Sequence, residues 1–220
     1  STSYAVQPPS SVTKVVDALG RTYSYAYDAK GNLISTTDPL GNVTAYAYNS
    51  YGQLIKITDP KGNITQYAYD SYGNLSSVTD AQNYITKYTW DAAGNLLTCT
   101  DANGNITSIT YDALNRPIRK TFSDASFEQY AYDKAGNIIS VTNTKNNVTT
   151  YSYDTQNRII GVTNALNQVT TFSRDALGNI IEITDANGNA AQYEYDFFGR
   201  VTAVVDAEGA RTVYDFQGGP

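Results

Sequence analysis

The 220-residue chain has no histidine, no methionine, one cysteine and no apolar run near the length of a membrane-spanning helix. Each absence removes a class of function. Without histidine, neither a Ser–His–Asp nor a Cys–His arrangement can be assembled within the chain. With Cys99 alone, there is no intramolecular disulfide and no cysteine zinc site. A spanning helix needs about 20 apolar residues, so no membrane segment is expected. The opening "STSYAVQPPSSV" lacks a basic end followed by an apolar core, so no signal peptide is read there. The missing methionine points to a segment of a longer or processed chain. Charge is sparse as well: 16% of residues, net −6, with 15 scattered Lys and Arg. A nucleic-acid partner is not expected, because phosphate contacts supply most of that affinity and need a basic surface.

Tyrosine is what the chain has in excess, 20 residues against 6 Phe and 1 Trp. Its placement is periodic. Stepping by 21 from Tyr27 gives Tyr48, Tyr69, Trp90, Tyr111, Tyr132, Tyr153, Arg174, Tyr195 and Phe216. Stepping by 21 from Asp17 gives Asp38, Asp59, Asp80, Asp101, Phe122, Asn143, Asn164, Asp185 and Asp206. No insertion breaks the phase, which extends back to Tyr4, so residues 1–220 read as a single array of about ten repeats.

Each repeat carries two turn signals. One follows the aromatic–Asp pair: Tyr27-Asp28 with Gly31, Tyr69-Asp70 with Gly73, Trp90-Asp91 with Gly94, Tyr132-Asp133 with Gly136, Tyr195-Asp196 with Gly199. The other follows the second acid, as in Asp38 with Gly41. Asn replaces Gly at several of these positions, such as Asn83 and Asn157. Gly and Asn both tolerate a left-handed backbone, so their exchange marks a required positive φ. The preceding Asp caps the turn by accepting backbone N–H bonds. These residues, with Tyr48, define the repeat and are structural; no catalytic, cofactor-binding or metal-ligating residue is assigned.

Between the turns lie two short runs, such as "LISTT" and "VTAYAY", rich in strand-forming Thr, Ile, Val and Tyr. The prediction is all-β: tandem β-hairpins forming one continuous antiparallel sheet of about twenty strands, coiled by its twist into a spiral or shell. If Thr37 faces Val43, alternation puts Ile34, Thr36, Thr44, Tyr46 and Tyr48 on one face. Leu33, Ser35, Thr37, Val43, Ala45 and Ala47 then take the other, unless a bulge intervenes.

"YDAKGNLISTTDPLGNVTAYAYN" resembles the YD-repeat, or RHS-repeat, family over essentially the whole chain. The family's Arg after the turn Gly is mostly Asn here, as in Asn32 and Asn74, and is kept as Arg116, Arg158 and Arg200. The resemblance implies a large secreted or cell-surface protein whose repeats wrap a spiralling sheet into a hollow shell. That shell encloses a toxin domain in bacterial toxins and forms part of an adhesion ectodomain in animal teneurins. The expected role is a structural wall of an extracellular container or fibre. Expected partners are adjacent repeats or further copies of the chain, or an enclosed toxin domain.

Competing readings attach to the same residues. The Asp ladder reads as turn capping, not as paired catalytic acids or as a calcium site, which wants six to eight oxygens. The tyrosine ladder reads as ring-on-ring and aliphatic-on-ring packing across strands, with hydrated hydroxyls; the alternative is carbohydrate stacking on its rings. Cys99 stands where other repeats have Ile57 or Val78 and reads as a small core residue. Sequons at Asn42, Asn63, Asn74, Asn105 and Asn147 follow from the repeat's spelling. In the irregular repeat, Pro117 falls on a strand and predicts poor pairing or a bulge.

Overall fold

The computed structural model describes residues 3–7 and 11–216. Residues 1–2, residues 8–10 (Pro8, Pro9 and Ser10) and residues 217–220 lie outside the described residues. The chain divides into two compact units, residues 1–108 and 109–220. Every regular element among the described residues is a strand.

The first unit holds β1 (Ser3–Gln7), β2 (Ser11–Val16), β3 (Thr22–Tyr27), β4 (Leu33–Thr37), β5 (Val43–Tyr48), β6 (Leu54–Thr58), β7 (Ile64–Tyr69), β8 (Leu75–Thr79), β9 (Ile85–Trp90), β10 (Leu96–Thr100) and the first residues of β11 (Ile106–Tyr111). Successive strands pair antiparallel, each with the next in sequence. The second unit repeats the arrangement. It runs through β12 (Pro117–Thr121), β13 (Phe127–Tyr132), β14 (Ile138–Thr142), β15 (Val148–Tyr153), β16 (Ile159–Thr163), β17 (Val169–Arg174), β18 (Ile180–Thr184), β19 (Ala190–Tyr195), β20 (Val201–Val205) and β21 (Arg211–Val213).

Two kinds of junction alternate. Where the second acid opens the turn, the strands share three pairs, as in Lys56↔Gln66, Ile57↔Thr65 and Thr58↔Ile64. Where the aromatic–Asp pair opens it, four pairs form around a bulge: Tyr48↔Leu54, Ala47↔Lys56, Tyr46↔Ile57 and Ala45↔Thr58. Ile55 is the extra residue. The same bulge recurs between β3 and β4, β7 and β8, β9 and β10, and through the second unit.

The bulge corrects the face assignment. Thr37 does face Val43, but Leu33 pairs with Tyr27 and so belongs to the large, aromatic face. Ile34 is the unpaired residue and is 38% exposed. Its equivalent Ile55 lines a concavity with Gln66, Ala68, Ser77 and Thr79, the small polar face. A two-against-one bulge shifts alternation by one residue, which is why a strict period-2 reading exchanges Leu33 and Ile34.

The strands form one antiparallel sheet, and among the described residues no second layer covers it within either unit. Among the described residues, strands touch only their neighbours in sequence, and Ala203 is the one fully enclosed apolar residue. Most inward-leaning residues stay half-buried. Cross-strand pairs such as Tyr46 with Ile57 and Tyr67 with Val78 therefore carry the apolar burial, at about 0.2–1 kcal/mol each.

The irregular repeat keeps part of the regular pattern. Pro117 is the first residue of β12, where a missing N–H costs least. On its β13 side the strand keeps the usual three pairs, Arg119↔Gln129, Lys120↔Glu128 and Thr121↔Phe127, without a bulge.

The turns depend on backbone sign. Gly94 has φ +84, and a Cβ built there would meet nothing within 4 Å. A substitution at Gly94 thus isolates the backbone term from crowding. Gly94→Asn is expected to lower the urea midpoint slightly and Gly94→Val considerably more. The gap should correspond to about 1 kcal/mol, since the branched chain resists the left-handed region. Equal midpoints for the two variants would contradict this account of the turn.

Candidate functional site

The groups capable of chemistry gather at the turns and along the tyrosine ladder. Each turn is a tight loop with one geometry. The Gly31 N–H donates to the Asp28 carbonyl at 3.0 Å, and the Asp28 N–H donates to the Asn32 carbonyl at 2.9 Å. This is a turn closed by a left-handed residue, a common way to close a hairpin. The second-acid turns share it: Gly41 donates to Asp38, and Asp38 to Asn42, both at 3.0 Å. Gly31, Gly41, Gly73, Gly94, Gly136 and Gly199 all lie at φ between +75 and +96. The stand-ins Asn83, Asn115, Asn146, Asn157 and Asn167 adopt φ near +60, as does Ala125.

The carboxylate organises the loop. Asp28 Oδ1 accepts the N–H groups of Lys30 and Asn32, each at 2.9 Å. Oδ2 accepts the Asn32 side-chain amide at 2.8 Å. Asp38, Asp91 and Asp133 hold their Asn in the same way. Where Arg replaces Asn, its Nε takes the same Oδ2: Arg116 on Asp112 at 2.7 Å, Arg158 on Asp154 at 2.7 Å, Arg200 on Asp196 at 2.6 Å. This explains the Asn-for-Arg departure from the family pattern. Either side chain puts one N–H on the same oxygen.

These bonds favour the charged carboxylate. The Asn32 side-chain amide, more than any other contact, holds the Asp28 carboxyl below its usual range, and Asn42, Asn63 and Asn105 do the same for Asp38, Asp59 and Asp101. The carboxylates are separate, and no group of three or more His, Cys, Asp or Glu that could hold a metal occurs among the described residues. One turn has neither Asp nor Asn at its first position. There the Phe122 N–H still donates to the Ser126 carbonyl at 2.9 Å, and Asp124 takes over by accepting the Ser126 N–H and hydroxyl.

The tyrosine ladder has a bonding partner that the sequence does not reveal. Tyr48 donates its hydroxyl to the Leu33 carbonyl at 2.9 Å, Tyr69 to Leu54 at 2.8 Å, Tyr153 to Ile138 at 2.7 Å, and Tyr195 to Ile180 at 2.7 Å. Tyr27 donates to Val12 and Tyr132 to Pro117. The acceptor always lies fifteen residues back. Trp90 Nε1 reaches Leu75 at 2.7 Å, and Arg174 reaches Ile159 through its guanidinium at 3.4 Å. The geometry follows from the three-pair junction. β6 and β7 stop pairing at Lys56↔Gln66, leaving the Leu54 carbonyl without a ladder partner. The phenol fills that opening and satisfies the carbonyl.

This corrects the expectation of hydrated hydroxyls; of the two kinds of packing expected, aliphatic on ring is the one the ladder uses. The ladder rings stand against aliphatic neighbours, Tyr48 opposite Leu54. The ring pair found among the described residues is Phe197 with Phe198, at 5.6 Å. Cys99 is half-buried and free, opposite Tyr88 and Thr107. The exposed tyrosines among the described residues lie elsewhere: Tyr51 and Tyr72 on consecutive turns of one edge, Tyr84 on the other edge, and Tyr214 just after β21.

Sequence comparison agrees with this architecture. The RHS Repeat family model matches residues 12–43, 27–65, 48–83, 69–106, 90–126, 132–169, 155–190 and 174–212. No curated protein matches the chain. Among solved structures, the crystal structure of TcdB2-TccC3 is similar with a TM-score of 0.71 at 20% identity, covering 92% of this chain. The crystal structure of TcdB2-TccC3 without its hypervariable C-terminal region gives 0.72 at 20% identity and the same 92%. At that identity the likeness is one of fold. The chain spans 13% of the length of each of those chains.

Two outcomes test these contacts. Tyr69→Phe should cost about 1 kcal/mol, because it strands the Leu54 carbonyl. Tyr67→Phe should cost almost nothing, since the Tyr67 hydroxyl has no protein partner. Comparing their urea midpoints checks it, and equal losses would contradict the bridging role. The second outcome concerns acid. A carboxyl depressed in the fold stabilises the fold above its unfolded value, ordinarily 3.8, and that stability disappears as pH falls through the lower folded value. Stability should hold from pH 7 to about pH 5 and then fall below about pH 4. Thermal melts across that range provide the measurement; a loss centred near pH 6 would require another group.

Proposed function

Because the chain belongs to the RHS repeat family, we propose that it is a structural, non-catalytic segment of the wall of an extracellular shell, of the kind that encloses a toxin in a delivery protein. The single observation that supports this most is where its reactive groups point. The Asp carboxylates bind their own turns, and the ladder phenols bind their own backbone. Little is left over for chemistry on a substrate.

In this reading residues 1–220 are one continuous array within a larger protein. The array's partners are the neighbouring repeats and the enclosed domain. A single-layer sheet suits a wall, since each strand is secured by its neighbours and needs no opposing layer. Twist then curls the sheet. No helix among the described residues is long and apolar enough to cross a membrane. Stacking of carbohydrate along the ladder is the weaker alternative, because the ladder hydroxyls are already committed to carbonyls.

Electron cryomicroscopy of the full-length parent protein tests the proposal. The expected result is that this segment forms consecutive strands of a closed wall around an internal space. A segment standing apart from any enclosed volume would overturn it. Protease accessibility on intact cells of the host tests the extracellular placement separately.

A further inference from the structure

The geometry points to a peptide-binding cleft in the first unit that takes a proline-rich, polyproline II segment flanked by a basic residue. The inference does not rest on the wall reading. Tyr51 and Tyr72 are 88% and 87% exposed, far more than any ladder tyrosine. They occupy the same place in consecutive aromatic-side turns, Asn49–Gln53 and Asp70–Asn74. Both line one open cleft of about 650 Å³ whose inner wall includes Tyr67 and Ser71. A bond between the turns sets their separation: Gln53 Nε2 donates to the Gly73 carbonyl at 2.9 Å. The cleft is therefore preformed, which lowers the ordering cost of binding.

Three features select the occupant. The first is spacing. The turns are two strands apart, about 10 Å at 4.8 Å per strand. A polyproline II helix repeats every three residues at about 3.1 Å each, so prolines at i and i+3 recur about 9 Å apart. Two rings at that spacing match two such prolines, the way aromatic grooves read PxxP segments.

The second feature is hydrogen-bond polarity. The amide and carboxylate oxygens of the cleft each already accept a hydrogen bond from their own turn. Asn49 Oδ1 accepts the N–H groups of Tyr51 and Gln53, Gln53 Oε1 accepts the Asn49 amide, and both Asp70 oxygens serve the Asp70 turn. The hydroxyls of Tyr51, Tyr67, Ser71 and Tyr72 bond to no protein group among the described residues. Each of these hydroxyls is free to donate. A polyproline II segment presents carbonyls with no internal partner and few N–H groups, which complements them.

The third feature is charge. Asp70 is held below the usual carboxylate range, net by its hydrogen bonds against the opposing effect of desolvation, and so is ionised at neutral pH. The chain as a whole carries −6. A Lys or Arg beside the prolines is favoured on both counts.

Titration of the whole 220-residue chain tests this, using a fluorescein-labelled Pro-Pro-Leu-Pro-Pro-Arg-Pro peptide and following anisotropy together with backbone amide NMR shifts. Binding tighter than about 1 mM is expected, with shifts concentrated at Tyr51, Ser71, Tyr72 and Gly73. Tyr51→Ala and Tyr72→Ala should each weaken it about tenfold, a loss of roughly 1.4 kcal/mol. Tyr84→Ala, exposed but outside the cleft, should leave it unchanged. Because both turn tyrosines project into solvent, circular dichroism of the variants should match the parent, and the shift map on the unsubstituted chain stands without them. Absence of binding, shifts elsewhere, or equal weakening by Tyr84→Ala would overturn the inference. So would binding of cellohexaose at the same residues in place of the peptide, which would make the cleft a glycan site.

Discussion

The turn carboxylate is the group on which the rest of the sheet depends. Without an opposing layer, no core holds distant parts of the chain together. Each hairpin must close by itself, and nearly every one closes around an Asp or Asn side chain whose carboxylate or amide oxygen organises the next four residues. Left-handed Gly or Asn then directs the chain back. The bonds are exposed and individually modest, about 1 kcal/mol each. Their effect is large because they recur at nearly every reversal, and because the reversal sets the register of both strands it joins.

The second device is the phenol that reaches back fifteen residues. A six-residue strand, a five-residue turn, a five-residue strand and a five-residue turn fill the 21-residue period. Within that frame the two junctions make different demands. The bulge lets Tyr46 face Ile57 while Tyr48 still faces Leu54, which keeps both apolar pairs on one face. The neighbouring junction then opens early, and the phenol closes the opening. Bulge and tyrosine are thus one feature seen from two sides. The substitutions at this position support that: Trp90 and Arg174 both retain an N–H donor on the same carbonyl. Arg174 does so imperfectly, since its Nε is buried without a partner.

Much of this was legible in the residues. The period gave the hairpins and their number, and the Gly–Asn exchange gave the left-handed positions, because only a backbone demand makes those two residues interchangeable. The bulge was written there too, though not in alternation. Leu54 and Ile57, Leu75 and Val78, and Ile180 and Ile183 are apolar pairs three residues apart. Residues three apart on a regular strand lie on opposite faces, so a shared face requires one extra residue between them. Adjacent Leu-Ile and Ile-Ile obscured this, since either neighbour could have been the inward one. The tyrosine's partner had no trace at all. Its acceptor is a main-chain carbonyl, which every residue carries, and side-chain patterns cannot distinguish one carbonyl from another.

The repeat built around Phe122 shows what the array can lose and what it keeps. The capping acid is gone from the first position, and the left-handed site holds Ala125 at φ +65, a conformation that costs an alanine about 1 kcal/mol or more. Yet the two backbone bonds of the turn remain at 2.9 and 3.0 Å, and β12 and β13 keep their register. Asp124 restores part of the lost capping by bonding Ser126. On the flanking strands, Arg119 lies 3.7 Å over the Phe127 ring and Lys120 lies 4.7 Å over Phe122, contacts that hold charged chains against aromatic faces. A defect in one unit is thus answered within that unit and its immediate neighbours. This is the behaviour of a structure whose stability is a sum of local terms. The same locality lets a turn such as Asn49–Gln53 carry an exposed tyrosine for recognition without disturbing the hairpin that presents it.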